Sequence, residues 1–231
     1  MKYFGEGLSE KHKELGSIIR KKDSLQKSKD LFFTIHSKLH LSEISGTESN
    51  EVDALLIDLK DYEWAVMPTS NDETIAWVIW HIARIEDLTM SFLVARENQI
   101  FNSDWQNKMN VSITDTGNAL SDDEIMNLSQ NIDITQLLKY RNAVGRNTCR
   151  IVENLSSDDL KRKVSSEDLN RILMCGGVTE QEDSIWLLDF WGKKDIAGIL
   201  LMPPTRHMML HLNDCCKWKI QIRTKKKFYR A

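Results

Sequence analysis

Helical periodicity is the feature that most restricts how this chain can fold. Apolar side chains recur every three or four residues in almost every segment, which is the spacing of one helix face. The 231 residues include only three prolines and ten glycines, so little interrupts a long helix. No segment alternates apolar and polar residues between turn dipeptides, as a half-buried strand would. The sequence therefore predicts an all-α protein.

Two long helices are predicted in the first half of the chain. The first covers about 24–44, and its apolar side chains share one face. A short helix over 51–59 follows it. The second long helix begins at 70–73, where Ser-Asn-Asp-Glu matches a capping box with its serine and glutamate three residues apart. We expect that helix to end near Asn98.

The second half predicts two more long helices. Ser-Asp-Asp-Glu at 121–124 is another capping box, and the helix that it opens should run toward Leu155 with a bend at 131–133. The last helix is predicted over 204–223, because proline suits the first turn of a helix. Four helices of this length usually pack as a four-helix bundle.

The expected domain organisation is one bundle with two additions. Residues 1–20 are predicted to form an N-terminal arm, either mobile or a short helix. The bundle domain covers 21–231. Its segment 156–192 mixes short helices with a turn, and it is predicted to be an insertion before the last helix.

Charge and composition exclude several classes of protein. The formal net charge of −3 argues against a general nucleic-acid binder, which needs a basic surplus. No stretch approaches the roughly 20 apolar residues that span a bilayer, and the first residues lack an apolar signal core. We therefore expect a soluble cytoplasmic protein, with no nucleic-acid or membrane partner and with its four cysteines reduced.

Three histidines carry the sharpest chemical signal. His207 and His211 are four residues apart, so both side chains lie on one face of the last helix. That face is otherwise apolar, and buried imidazoles cost desolvation energy unless they are satisfied. A divalent metal ion would satisfy both, and His81, at the edge of the apolar side of the second long helix, is the best third ligand. Three histidines with one open position are typical of a catalytic zinc site.

A plainer alternative stands beside this hypothesis, because histidines four residues apart also arise by chance. The chain has a second such pair, His36 and His40. Serine and lysine flank that pair, so we interpret it as a polar helix flank, and a second ion there is left open.

Several other side chains could serve the same site. Arg84, one turn from His81, could bind an anionic substrate, although a surface ion pair is the plainer interpretation. Glu86 could act as a general base only if it turned inward. Arg141 could line an anion pocket, with a solvated face as the default. Cys215, one turn beyond His211, could be a fourth ligand, a reactive thiol or a small core residue.

Two segments resemble a known family. Residues 74–87 (TIAWVIWHIARIED) resemble the second helix of the DinB-like superfamily, also called the YfiT-like metal-dependent hydrolases. Residues 206–213 (RHMMLHLN) resemble the histidine pair in that family's last helix. The order, one histidine followed by a pair, is the same. The resemblance covers about 24–223 and is strongest in these two helices.

The resemblance implies more than the residues do. It implies a four-helix bundle with an up-down-down-up course, a homodimer, and a zinc or nickel ion on His81, His207 and His211. It also implies a small-molecule substrate and, in members with known chemistry, a low-molecular-weight thiol. The insertion at 156–192 and the basic C-terminal tail depart from the family, so no particular substrate carries over.

Three functions are consistent with these residues and are stated as hypotheses. The first is a metal-dependent thiol S-transferase or hydrolase, in which the metal activates a thiol or a water. The second is a non-catalytic stress protein that binds a metal or a small ligand. The third is a dimeric bundle whose histidines hold no metal.

Overall fold

The structure is a computed structural model that describes residues 4–46, 48–225 and 227–231. These residues form α-helices and short helical turns with isolated bridges but no extended strand, so the all-α prediction is confirmed. None of the helices described is both long enough and apolar enough to cross a membrane. The helices are α1 Leu8–Ile18, α2 Leu25–Ser37, α3 Glu51–Leu56, α4 Ile75–Leu88, α5 Ser103–Met109, α6 Asp122–Asn131, α7 Ile134–Glu153, α8 Ser166–Met174, α9 Glu182–Gly192, α10 Ile196–Leu200 and α11 Met208–Thr224.

Helix α4 lies at the centre of the molecule. Every one of its residues is buried, and it packs against α6, α7 and α11. A helix that is enclosed on all sides belongs to the interior of a larger helical assembly. The up-down-down-up course of a four-helix bundle stays a prediction.

Two π-helical segments adjoin the helices that carry the predicted ligands. Thr89–Ala95 extends α4, and Met202–His207 leads into α11. Pro204 has no N–H to donate to the carbonyl of Leu200, and the hydroxyl of Thr205 donates to that carbonyl instead, at 2.8 Å. Single π-helical turns occur often at functional sites, and His207 is the last residue of this one.

The predicted start of α4 is wrong by one turn. Thr74, not Ser70, caps the helix, because its hydroxyl accepts a hydrogen bond from the backbone N–H of Trp77 at 3.1 Å. Asp72 is engaged outside the helix, where it accepts hydrogen bonds from Thr69 and Trp218. Asp72 and Glu73 therefore precede the helix and remain in a loop.

The second capping box is confirmed. The side chains of Ser121 and Glu124 exchange hydrogen bonds with each other's backbone N–H groups. The long helix that was predicted to follow is two helices, α6 and α7, since the bend at 131–133 is a complete break. Asp133 caps α7 by accepting from the N–H of Gln136 at 3.0 Å.

The N-terminal half also differs from the prediction in extent. The helix predicted over 24–44 ends at Ser37, and turns cover the rest. For the N-terminal arm predicted over 1–20, the structure shows the short helix α1 within residues 4–20, and residues 1–3 lie outside the described residues. Helix α1 packs against α2 and buries Leu8 and Leu15.

A buried ionic cluster joins α2 to α4, and it corrects the interpretation of His36 and His40 as a polar flank. Both side chains are fully buried. His36 Nε2 lies 2.7 Å from one carboxylate oxygen of Glu86, and His40 Nε2 lies 3.1 Å from the other. The serine and lysine that flank this pair are adjacent to it in sequence but do not share its helix face, because side chains share a face when they are three or four residues apart. Phe32, four residues before His36, stacks on its ring with centroids 5.4 Å apart.

The protonation of this cluster is set by burial and charge. Burial alone would lower the pKa of His36, but Glu86 and Cys149 outweigh it and raise that pKa to about 9. Burial lowers the pKa of His40 to about 3. His36 is therefore the charged imidazole at neutral pH, and it compensates the buried carboxylate of Glu86.

Replacing the cap of α4 should cost stability. Thr74→Ala removes the capping acceptor and a hydrogen bond of 2.6 Å to the hydroxyl of Ser129, so we expect a loss of about 1–2 kcal/mol in the free energy of unfolding. Ser70→Ala is the matched control and should change it by less than about 0.5 kcal/mol. Urea unfolding measures both. Equal losses in the two variants would contradict the cap at Thr74.

The contribution of the His36–Glu86 pair to stability should fall as the pH rises from about 6.5 to about 9. The folded-state pKa of His36 lies above its unfolded value, so its contribution is complete below the unfolded pKa and is lost as pH rises through the folded one. We expect this contribution to the free energy of unfolding to decline by on the order of 3 kcal/mol. The buried neutral histidines have lowered pKa values and act in the opposite sense as the pH rises through 6.5.

The control for this prediction is the double variant His36→Gln/Glu86→Gln, which replaces both charges with amides. Urea unfolding at several pH values should show that the wild type loses this stability relative to the double variant, in which the other histidines are the same. A difference between the two proteins that stays level from pH 6.5 to 9 would refute the charged pair.

Candidate metal centre

The structure brings the three predicted histidines together. His81 comes from the middle of α4, His207 ends the π-helical turn, and His211 lies in the first turn of α11. The Nε2 atoms of His81 and His207 are 3.2 Å apart. One ring nitrogen from each of the three side chains lies within 4.8 Å of the other two. Two segments that are distant in sequence thus supply one cluster of imidazoles.

Four successive backbone carbonyls of the 114–117 loop accept hydrogen bonds from the side of α4 that carries His81. The side chains of Arg84, Trp80, His81 and Trp77 donate to the carbonyls of residues 114, 115, 116 and 117 in turn, at 2.8–3.1 Å. Gly117 has a φ of +77°, and a Cβ there would lie 2.8 Å from the indole nitrogen of Trp77. Only glycine fits this close approach without strain.

The hydrogen bond from this loop sets the tautomer of His81. Its Nδ1 lies 2.8 Å from the carbonyl of Thr116, and a carbonyl can only accept, so Nδ1 carries the proton. The lone pair is therefore on Nε2, which faces His207. Trp77 stacks on the ring at 4.6 Å with an interplanar angle of 11°. This arrangement of a fixed ring and a free nitrogen is usual for a metal-binding histidine.

All three imidazoles are neutral at physiological pH. Burial, followed by the charge of His211, lowers the pKa of His81 to about 3. Burial lowers the pKa of His211 to about 4 and holds that of His207 well below its usual range. Neutral imidazole is the form that binds metal.

The donor set fits a divalent ion. A tetrahedral zinc ion with Zn–N bonds of roughly 2.0–2.1 Å separates two ligand nitrogens by about 3.3 Å. The two Nε2 atoms at 3.2 Å match that separation. His207 Nδ1 is buried and has no hydrogen-bond partner within the described part of the chain, so either nitrogen of that ring is open to a proton or a ligand.

A cavity of about 620 Å³ adjoins the three histidines, which is the size of a small-molecule site. Helix α9, in the segment predicted to be an insertion, lines it with Trp186, Phe190 and Trp191. The loop before α4 lines it with Asp72 and Glu73. The cavity is thus apolar on one wall and acidic at another.

Arg84 and Glu86 do not line the cavity. Arg84 forms the ion pair with Asp87 that was expected, at 3.3 Å, but the pair is fully buried, so the surface location is wrong. Its guanidinium also donates to Tyr140 at 2.9 Å. Glu86 does turn inward, yet it faces His36 and His40.

The cluster of His36, His40 and Glu86 is the second group with metal-binding residue types. Its shortest contact, 2.7 Å between nitrogen and oxygen, is a charge-assisted hydrogen bond and is too short for two ligands of one tetrahedral ion. The guanidinium of Arg141 is also fully buried, and Glu86 acts on it electrostatically. We therefore assign the cluster as an internal ion pair.

Two further candidates also lie away from the cavity. Arg141 donates to the carbonyl of Leu39 rather than lining an anion pocket. Cys215 is fully buried, and burial holds the pKa of its thiol well above the usual range. Its role as a small core residue agrees with this position.

Sequence analysis missed several residues of the site. Asp72 and Glu73 were assigned to a helix cap, which hid their place on the cavity wall. The segment 156–192 was interpreted only as an insertion, which hid the place of Trp186 on the cavity wall. The carbonyl of Thr116 has no side-chain signal, so nothing in the sequence pointed to it.

The comparisons with known proteins agree with the fold. The family model of the DinB superfamily matches residues 47–182, more than half of the chain, and this range includes His81 but not His207 or His211. No curated protein matches the chain. On the family match, this chain belongs to the DinB superfamily.

Proposed function

We propose that this protein is a metal-dependent enzyme that acts on a small molecule, with one divalent ion on His81, His207 and His211. One observation carries the proposal: three neutral imidazoles converge beside a cavity of about 620 Å³. Three protein ligands leave a coordination position for water or substrate, as in catalytic rather than structural sites.

The bound ion would lower the pKa of a water or thiol that enters the cavity, which supplies a nucleophile at neutral pH. The residues of the chain prepare the site for this role. Thr116 and Trp77 hold His81 in one orientation. Ile85 and Leu187 line the cavity with apolar surface, which excludes water from a bound substrate. A thiol S-transferase or a hydrolase is the reaction type that fits.

The ligand atoms also indicate which metal ion is the cofactor. Three imidazoles suit zinc or nickel, and the separation of the nitrogen atoms favours tetrahedral zinc. A low-molecular-weight thiol as co-substrate, a homodimer and the up-down-down-up bundle are part of the same proposal and rest on the family resemblance.

A non-catalytic metal or small-ligand binding protein is the second candidate. The positions of Arg84 and Glu86 favour it, because neither candidate for substrate binding or proton transfer lines the cavity. A protein of this kind would keep the metal and show no turnover.

His81→Ala should remove most of the ion and leave the helices intact. Loss of an outer-shell partner alone weakens metal binding by about 10–100-fold, so loss of a ligand should cost at least as much. Elemental analysis of the purified protein measures the metal, and circular dichroism measures the helices.

His12→Ala is the matched control for this variant. His12 contacts the carbonyl of Leu201 at 2.8 Å and lies outside the cluster of imidazoles, so its replacement should leave the metal content unchanged. Equal metal content in the His81→Ala and wild-type proteins would refute the three-histidine site.

A screen of small thiols against electrophilic substrates should separate the two candidate functions. We expect the zinc- or nickel-loaded protein to consume free thiol in the presence of at least one electrophile, as followed by thiol titration, and His81→Ala to lose that rate. Hydrolysis of ester and amide substrates is assayed in parallel. A metal-loaded protein with no rate in either assay would favour the non-catalytic candidate.

A further inference from the structure

We propose that the cavity beside the three histidines selects an organic cation, namely a small molecule with a protonated or quaternary amine next to an apolar body. The inference rests on the proposed function, because it names the substrate class of the same cavity. It stands on the charges, the aromatic wall and the hydrogen bonds around that cavity.

The charged residues that line the cavity are all acidic. Asp72 and Glu73 come from the loop before α4, and Asp122 comes from the first turn of α6. Among the residues that the structure describes, no lysine or arginine lines the cavity. Apart from a metal ion on the histidines, an anionic ligand would meet carboxylates there without a basic side chain, which disfavours acidic substrates.

Of the three carboxylates that line the cavity, Glu73 is the one whose charge is least compensated by other side chains. Asp72 already accepts two hydrogen bonds, and Asp122 lies 3.7 Å from Arg230. Among the described residues, no basic side chain forms an ion pair with Glu73. Burial raises the pKa of Glu73, and the negative charges of Asp72 and its neighbours add to the effect. A ligand cation would compensate this half-buried charge.

Aromatic side chains line the same cavity. Trp186, Phe190 and Trp191 of α9 line it, and Trp186 is 47% exposed, which is unusual for so large an apolar side chain. The Trp186 and Phe190 rings meet edge to face at 5.9 Å. Aromatic faces attract cations, and aromatic side chains together with carboxylates are the usual means of recognising ammonium groups.

One cation already contacts this wall. Lys194 Nζ lies 3.8 Å from the centroid of the Phe190 ring, but Lys194 does not line the cavity. Trp186 and Trp191 carry no such contact among the described side chains. The ligand that fits has its cation between Trp186 and Glu73 and its apolar body toward Ile85 and Leu187.

The test compares three probes of similar size on the full chain, both metal-free and zinc-loaded, by isothermal titration calorimetry. Benzyltrimethylammonium is the cation, N,N-dimethylbenzamide is uncharged and benzenesulfonate is the anion. The metal-free chain reports the cavity wall alone, because the sulfonate and the amide carbonyl can bind zinc but the quaternary ammonium cannot. We expect it to bind at least about ten-fold more tightly than the other two.

Two variants test the residues that carry the preference. Glu73→Gln should weaken the binding of benzyltrimethylammonium by about ten-fold, and Trp186→Ala should weaken it by about three-fold or more. Glu153→Gln is the matched control, since it removes one exposed carboxylate from α7 that does not line the cavity, and it should change nothing.

The outcomes separate this inference from the proposed function. Tighter binding of the uncharged or anionic probe to the metal-free chain, or an unchanged affinity in Glu73→Gln, overturns the cation preference whether or not the protein binds zinc. If the wild-type protein holds no metal, the proposed enzyme fails, and the three probes measured on the metal-free chain still decide the cation preference.

Discussion

The interior of this protein depends on how one fully buried helix, α4, satisfies its polar side chains. A buried polar group costs free energy unless it is hydrogen-bonded, and a buried charge costs more unless it is paired. The carbonyls of the 114–117 loop accept from one side of α4. Glu86 finds its cation on α2, and Asp87 accepts from Tyr140 of α7 at 2.7 Å. The helices around α4 are held in place by these hydrogen bonds and ion pairs as well as by apolar packing.

The features that the sequence predicted correctly are those that local chemistry decides. Helical periodicity predicted an all-α chain, and the serine–glutamate box predicted the start of α6. The i, i+4 spacing of His207 and His211 placed them on one face, and the apolar surroundings of His81 indicated a buried imidazole. Each inference needs only residues within a turn or two of one another, where helix geometry is fixed.

The errors have a common physical origin. The serine–glutamate pattern at 70–73 matches a capping box, but the N-cap of α4 is Thr74. Asp72 instead accepts a hydrogen bond from Trp218, which is 146 residues away in sequence. His36 and His40 were judged by the residues beside them, whereas Glu86, whose carboxylate contacts both rings, is 50 residues from His36. Contacts of that sequence separation are decided by tertiary packing, which local patterns do not encode.

The two glutamates near the ends of α4 differ in whether the fold supplies a positive partner for their charge. Glu86 lies near the end of the helix, and His36 supplies its counter-charge from within the fold, so the pair can stabilise α4 and has no need of a ligand. Glu73 lies just before the helix, in a half-buried place where the charges that act on it most, those of Asp72, Asp214 and Asp122, are negative. The chain leaves that carboxylate without a described cation beside a cavity and three neutral imidazoles. A charge that the fold does not compensate must be compensated by solvent or by what the cavity binds, and it therefore favours one sign of ligand over the other.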